Sequence, residues 1–424
     1  MNRLKVIFRA FKYRNYRLFF AGQGLSALGG MMQQMAQSWL VYRITDSPLM
    51  LGIVAFAGQV PAFLLTPAAG IVSDRHDRRF IILIADIAQM AVAFIFAALV
   101  FSGLIRAWHI VILSIAAGSA AAFEMTTRHS FVPQMVEDKN DLGNAIALNS
   151  VMFNSARLLG PALAGVVVAF AGEGICFLIN GISFMAVISA LLMMNIKKHV
   201  YTRHKSPLKE LKEGFKYVTE SVPLKSIIIL MAFVSLFGSG VTILLPVFAR
   251  DILHGDSMTY GFLTGAVGLG ALLGALSMAV KKTLRGLAAL MASAAALFGA
   301  GLIAASFSGN LYIAMALLMF VGAGTMLHMA ASNTIIQTVA DDDKRGRVIS
   351  FYILSFSGFM PLGSLISGWA AKIFGVRHVI AAGGVLTLIA AGIFVFFLPR
   401  IRSHLRSVYI KKGIIPAETV VEIK

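Results

Sequence analysis

Twelve long apolar runs, separated by short polar or basic segments, make up most of this chain. They cover about residues 17–42, 49–71, 80–103, 107–127, 144–170, 174–195, 226–250, 258–280, 286–307, 310–338, 347–371 and 376–398. Each reaches the roughly 20 residues that an α-helix needs to cross a bilayer core, and several exceed it, which implies tilt or extension past the membrane face. The pattern predicts an all-α polytopic membrane protein with twelve transmembrane helices. The longest polar interruption, His199–Lys225, falls between spans 6 and 7. Within it Ser206-Pro207 marks a helix start, and Leu208, Leu211, Phe215 and Val218 recur at helical spacing beside Lys209, Lys212 and Lys216. That spacing predicts a short amphipathic helix on the membrane surface, tethering two halves.

The chain also repeats with a period of about 200 residues. Phe11-Lys12-Tyr13 returns as Phe215-Lys216-Tyr217, the stretch 136–143 parallels 339–346, and Pro161 parallels Pro361. Two six-span halves follow, at 1–198 and 226–398, joined by the linker 199–225 and ending in a basic tail at 399–424.

Composition agrees, with 58% hydrophobic and only 13% charged residues, which excludes an ordinary soluble enzyme. A net charge of +18 raises nucleic acid as a partner until the 37 basic residues are placed. Of these, 31 fall in the segments that an even span count and a basic N-terminus put in the cytoplasm. The charge therefore reports orientation, with both termini cytoplasmic, and gives no case for nucleic acid. Cys176 stands alone, so disulfides and cysteine-based metal clusters are excluded. The first apolar segment is long and carries glutamines, so no cleavable signal peptide is expected. No nucleophile elbow, H-E-x-x-H or phosphate-binding loop is present, so the chain is not expected to be an enzyme, nor to hold a metal or cofactor. An ion gradient is then the expected energy source, and it requires ionisable groups inside the membrane.

Between spans 2 and 3 the sequence reads Gly70-Ile-Val-Ser-Asp-Arg-His-Asp-Arg-Arg79. Gly70 permits close helix approach, Asp74 can accept from the free N–H groups of a neighbouring helix start, and Arg78 can reach a carboxylate on another helix. Arg75 and Arg79 complete the pattern G-x-x-x-D-R-x-x-R-R. This loop resembles the signature loop between helices 2 and 3 of the major facilitator superfamily, whose fold has two pseudo-symmetric six-helix halves around a central cavity. The resemblance covers nearly the whole chain. It is closest in texture to the bacterial exporter branch that includes the enterobactin exporter and macrolide efflux pumps, through residues 32–42, 130–134 and 144–150. It implies that Arg78 reaches Glu124 at the inner end of helix 4 and that Asp74 faces the start of helix 11 near Gly346-Arg347. Such a relay would lock the cytoplasmic side shut in the outward-open state. Read without the resemblance, Glu124 and Arg128 simply satisfy each other as an i,i+4 pair.

Arg157 lies near the middle of span 5, where an isolated guanidinium costs at least a few kcal/mol unless it meets protein or water. Either a structural clamp or direct coupling to substrate or protons would keep it there. Gly160, Pro161 and Gly165 follow it and resemble the helix-5 motif of antiporters in the superfamily, with Ala156 and Ala164 in place of two of its glycines. The resemblance favours export, and places helix 5 against helix 8, which offers Gly261, Gly265, Gly270 and Gly274. Asp86 lies about seven residues into span 3, roughly 10 Å deep, and is the default proton carrier. Gln33, Gln34 and Gln37 on span 1, Asn149 and Asn154 on span 5, and His328 and Asn333 on span 10 form a candidate cavity wall, together with Met31, Met32 and Met35. Span 4 lacks the midmembrane arginine that many drug–proton antiporters of the superfamily use.

These features point to a secondary transporter of a bacterial inner membrane that exports a small amphipathic molecule, siderophore-like or macrolide-like, by proton-coupled alternating access. The expected partners are that small-molecule substrate and membrane lipid, with no nucleic acid, and a monomer is expected to suffice. Two rivals stay open at this point: a lipid or lysophospholipid flippase on the same fold, and a non-transporting sensor or assembly protein.

Overall fold

The computed structural model describes residues 8–195, 207–281, 283–284, 286–341 and 344–412. Ser206 at the expected linker-helix start, Lys282 and Arg285, Asp342 and Asp343, and the tail beyond Lys412 lie outside the described residues. Among the described residues the chain builds twelve long helices. The first six are α1 (Arg14–Thr45), α2 (Pro48–Arg75), α3 (Arg78–Phe101), α4 (Ala107–Phe131), α5 (Lys139–Ala171) and α6 (Glu173–Met193). Beyond the linker helix Pro207–Glu220 come α7 (Val222–Ile252), α8 (Ser257–Val280), α9 (Leu287–Phe307), α10 (Leu311–Val339), α11 (Arg345–Phe374) and α12 (Val376–Lys411). Eleven of them are long and apolar enough to cross a membrane. The remaining one is α1, 32 residues and so about 48 Å long, whose glutamines lower its hydropathy.

Pairing repeats from half to half. In the first, α1 packs on α5 and α6, α4 on α2 and α3, and α3 on α6. In the second, α7 packs on α11 and α12, α10 on α8 and α9, and α9 on α12. The halves meet along two seams, α5 against α8 and α2 against α11. Helix α7 departs from its counterpart α1. It breaks into π turns at Val234–Gly238 and Phe248–Ile252 around a 3-10 stretch at Ser239–Leu244. A Cβ at Gly240 would lie 2.5 Å from the Gly363 carbonyl carbon, so α7 and α11 touch backbone to backbone there.

Two expected boundaries move. Helix α7 begins at Val222 rather than 226, because Pro223 needs no N–H partner in a first turn. Helix α12 runs past Pro399 to Lys411, into the segment expected as a basic tail from 399. Leu398, Ile401, Leu405 and Tyr409 recur at helical spacing and are buried, and Lys412 Nζ donates to the carbonyls of Thr338 and Ala340 at 2.9 and 2.8 Å.

The repeated motifs turn out to be contact partners. Tyr13 OH donates to Asp141 Oδ2 at 3.0 Å and accepts from the Asp138 N–H at 3.3 Å. Its counterpart Tyr217 OH donates to Asp341 Oδ2 at 3.0 Å and accepts from the Asp341 N–H at 3.2 Å. In each half a tyrosine ahead of the first membrane helix thus pins the connection before the fifth. Beside Tyr13, Lys12 Nζ lies 2.7 Å from Asp141, a contact that holds its ammonium above the usual lysine range. The linker helix is held on α11 by Arg347 Nη1, which donates to Glu213 Oε2 at 2.8 Å, and by the Phe215–Phe351 ring contact.

Removing one such hydroxyl should cost about 1 kcal/mol. Tyr13→Phe and Tyr217→Phe should each lower the melting temperature in detergent by about 2–4 °C, and the double variant by close to the sum, because the sites sit in different halves. A Tyr217→Phe protein melting with wild type would show that the linker helix is held by its other contacts alone.

Candidate substrate cavity and gates

An even number of crossings brings both described ends of the chain to one face, here called the basic face, with the linker helix and the loops α2–α3, α4–α5 and α10–α11. Both seams are closed only toward the opposite face. On α5–α8, a Cβ at Gly165 would lie 2.7 Å from the Ser257 carbonyl oxygen and one at Gly261 would lie 2.6 Å from that of Pro161. Ser257 Oγ adds a hydrogen bond to the Gly165 carbonyl at 3.1 Å. On α2–α11, a Cβ at Gly52 would lie 2.7 Å from Ser364 O and one at Gly368 would lie 2.6 Å from Pro48 O. Toward the basic face the contact ends. Gly70 has nothing within 4 Å of its would-be Cβ, and Leu64, Ile71 and Arg75 in the second half of α2 are exposed.

A lid covers the opposite face. Arg250 Nη1 donates to Asp46 Oδ1 at 2.6 Å, Tyr42 OH donates to Asp251, and Trp39 stacks on Tyr260 at 6.2 Å between ring centroids. All three join α1 or its cap to α7 or α8. Sequence reading did not find this lid. Nothing in the local sequence ties Arg250 to Asp46 across 204 positions. Nearby, Arg43 and Glu173 pair at 2.7 Å within the first half.

Helix α5 shows where the open side leads. Ser150, Asn154 and Arg157 share one face and all lie at least partly open. Farther along that face Pro161, Ala164, Gly165 and Val168 are buried against the closed seam. The exposed apolar residues Leu159, Leu163 and Phe170 lie on the other side of the helix, where lipid would be. Arg157 therefore sits at the ceiling of a cavity open to the basic face. Pro161 lacks the N–H that would bond the Arg157 carbonyl. Helix α8 passes that carbonyl closely, with a Cβ at Gly268 only 2.8 Å from it. Gly160 meets Met31 of α1 (2.5 Å from a would-be Cβ), which brings Gly30 and the exposed Gln34 alongside.

The other polar candidates divide. Gln33 accepts from Asn180 Nδ2 at 2.8 Å, and Gln37 donates to Ser114 Oγ at 2.8 Å, so both serve contacts within the first half. His328 is a correction. It is 1% exposed, with Nδ1 on the Met291 carbonyl at 3.2 Å, and it faces α9 instead of the cavity. Its backbone neighbours α8 and α9 occupy the sides a single helix pattern leaves open. Asn149 is partly buried with Oδ1 unpartnered, Asn154 Nδ2 donates to Ser150 O at 2.8 Å, and Asn333 accepts from Gln337 at 3.0 Å.

The charged loop is arranged within its own half. Arg78 Nη1 donates to Ser130 O at 3.0 Å, and Arg79 Nη2 donates to Leu192 O at 2.9 Å. Asp77 caps α3 through the Arg79 N–H. Asp74 lies 3.8 Å from Arg78 and is 44% exposed, while Arg75 is exposed and Gly70 is unpacked. Glu124 takes Arg128 at 2.9 Å, and Arg128 in turn covers the Phe153 ring at 4.6 Å. In this conformation neither Arg78–Glu124 nor Asp74–α11 is formed. Asp86 is 2% exposed, its Oδ2 has no hydrogen-bond partner, and its charged neighbours are Glu124 and Arg128. Among the described residues no cluster of His, Cys, Asp and Glu could hold a metal ion.

Twelve membrane-length helices in two matching halves, with a cavity closed at one end of the seam, define a multi-pass membrane transporter of small molecules. The sequence profile of a family described as transmembrane secretion effector, within the major facilitator superfamily, matches residues 7–412, and the chain belongs to that family. It is 26% identical to the staphyloferrin A transporter of Staphylococcus aureus (strain NCTC 8325 / PS 47), over 92% of this chain and 98% of that one. It is 26% identical to the multidrug efflux pump Tap of Mycolicibacterium fortuitum (90% and 93% covered) and 22% identical to macrolide efflux protein A of Streptococcus pyogenes (90% and 96%). Among solved structures, a bacterial homologue of the iron transporter ferroportin in an inward-facing state aligns with a TM-score of 0.70 at 17% identity, covering 91% of this chain and 98% of that one. A bacterial homologue of the human lysosomal transporter Spinster aligns at 0.71 and 14%, covering 92% and 97%. These two share the fold.

The seam sets which side is open, so crowding it should reverse the balance. In a Cys176→Ser background, a Ser150→Cys side chain should react with a membrane-impermeant maleimide from the basic face. Adding Gly261→Val, whose branched side chain meets the Pro161 carbonyl, should lower that labelling several-fold in protein that remains monodisperse. Unchanged labelling would show that the glycine seam does not hold the opposite face shut.

Proposed function

We propose that the chain is a secondary active exporter that moves a small amphipathic molecule, siderophore-like or drug-like, out of a bacterial cytoplasm in exchange for protons. The observation that carries this reading is the cavity, roofed by Arg157 and open only to the basic face. The excess of Lys and Arg supports a cytoplasmic position for that face, from which the cavity would be loaded. Opening at the other face would require the Asp46–Arg250 and Tyr42–Asp251 bridges to part and the glycine seams to separate. Closing at the basic face would then bring Asp74 and Arg78 toward α11 and Glu124, as the relay of the superfamily implies. The wall combines amides with Met31 and apolar neighbours, which suits a bulky, partly apolar substrate. The relatives named for a siderophore, several drugs and macrolides support the same range.

Coupling is assigned to Asp86, Glu124 and Arg128. Glu124 is paired with Arg128, whereas the buried Asp86 has no partner for its Oδ2, and a bound proton would neutralise it. The test is uptake into inverted membrane vesicles with an acidic lumen, for a panel of siderophores and macrolides. Uptake should collapse with a protonophore. No gradient-dependent uptake of any compound would overturn the reading. Asp86→Asn should abolish gradient-driven uptake while keeping ligand-induced thermal stabilisation. Wild-type dependence on the gradient in that variant would remove Asp86 from the mechanism.

A further inference from the structure

One charge in the cavity has no part in the cycle just described. Arg157 lies near the middle of α5, open to the cavity, and has no hydrogen-bond or ion-pair partner among the described residues. The carboxylates nearest the membrane core, Asp86 and Glu124, are buried on α3 and α4, and Glu124 is paired with Arg128. A structural clamp is therefore missing on the protein side. The position is also too deep for a lipid headgroup, since the helix continues for 14 residues beyond it to Ala171. What balances a guanidinium at that depth is water together with an anionic ligand.

Its surroundings narrow the chemistry. Asn154 and Ser150 stand three and seven positions before it on the same face, both open, and Gln34 is exposed on α1. Gly30 has nothing within 4 Å of its would-be Cβ, so room is left in front of the wall. A single planar guanidinium matches one carboxylate through two parallel hydrogen bonds, whereas a phosphate dianion would remain under-neutralised. Met31, beside Gly160 on the facing helix α1, offers an apolar contact to an uncharged body attached to that carboxylate. A substrate whose only charge is positive would meet repulsion at the same place.

We propose that Arg157 anchors the substrate through a carboxylate, so that this transporter selects amphipathic acids over their neutral or cationic analogues. The proposal deepens the export reading and rests on it for the substrate's route, but the binding step can be measured separately. The probes are dansyl-phenylalanine and dansyl-phenylalaninamide, which differ only in the carboxylate. Binding to the purified full-length protein in nanodiscs is read by dansyl fluorescence and by thermal shift. Wild type should bind the acid roughly tenfold or more tightly than the amide. Arg157→Gln should bring the two within about twofold, and Arg157→Lys should keep part of the preference, because a point charge remains without the fork. Equal affinities in wild type, including no binding of either probe, would overturn the proposal. So would an acid preference that survives Arg157→Gln. If Arg157→Gln does not fold, the wild-type ratio together with Arg157→Lys decides. Uptake of the same probes into inverted vesicles separates the two readings. Acid-selective binding without gradient-driven uptake would overturn export and leave the subsite standing. Uptake of both probes at equal affinity would overturn the subsite and leave export standing.

Discussion

Backbone contact across the two seams is the constraint on which the rest of the structure depends. Lipid gives no hydrophobic force that drives helices together, so van der Waals packing and hydrogen bonds must hold the halves. Such packing is strong only where side chains are absent. Gly165 with Gly261, and Gly52 with Gly368, let main chains touch, and each pair lies toward the face opposite the termini. The open cavity, the position of Arg157 at its ceiling and the lid from Asp46 to Arg250 all follow from that placement.

The charged residues divide accordingly. Those within one half, such as Arg43–Glu173, Glu124–Arg128 and Lys12–Asp141, keep the half rigid. Those between halves, Asp46–Arg250 and Tyr42–Asp251, join the halves at the face opposite the termini. Arg347 belongs to a third kind. It stands at the start of α11, where the superfamily's relay would bring Asp74, yet here it is bound to Glu213 of the linker helix. The linker helix thus holds the first turn of α11 at the basic face.

The repeat deserves the same physical reading. Matching residues such as Tyr13 and Tyr217 persist because each makes the same bond in its own half, to Asp141 and to Asp341. Helix α7 breaks the symmetry with its π and 3-10 turns, while α1 is regular from Arg14 to Thr45. An irregular helix at the centre of one half and a regular one in the other makes the two sides of the cavity unlike.

By itself the sequence determined the twelve-helix architecture, the division into halves and the linker helix, and it singled out Arg157 and Asp86 as charges inside spans. These follow from hydropathy, period and the cost of charge in lipid, which depend on local sequence alone. Tertiary structure decided which amides face the cavity. Gln33, Gln37 and His328 look like Gln34 along the chain, but Asn180, Ser114 and Met291 occupy them. It also decided the lid, because Asp46 and Arg250 approach only through the packing of two halves. A helix pattern shows that a polar residue needs a partner. Which partner arrives, and on which side the seam closes, depends on contacts between residues up to two hundred positions apart.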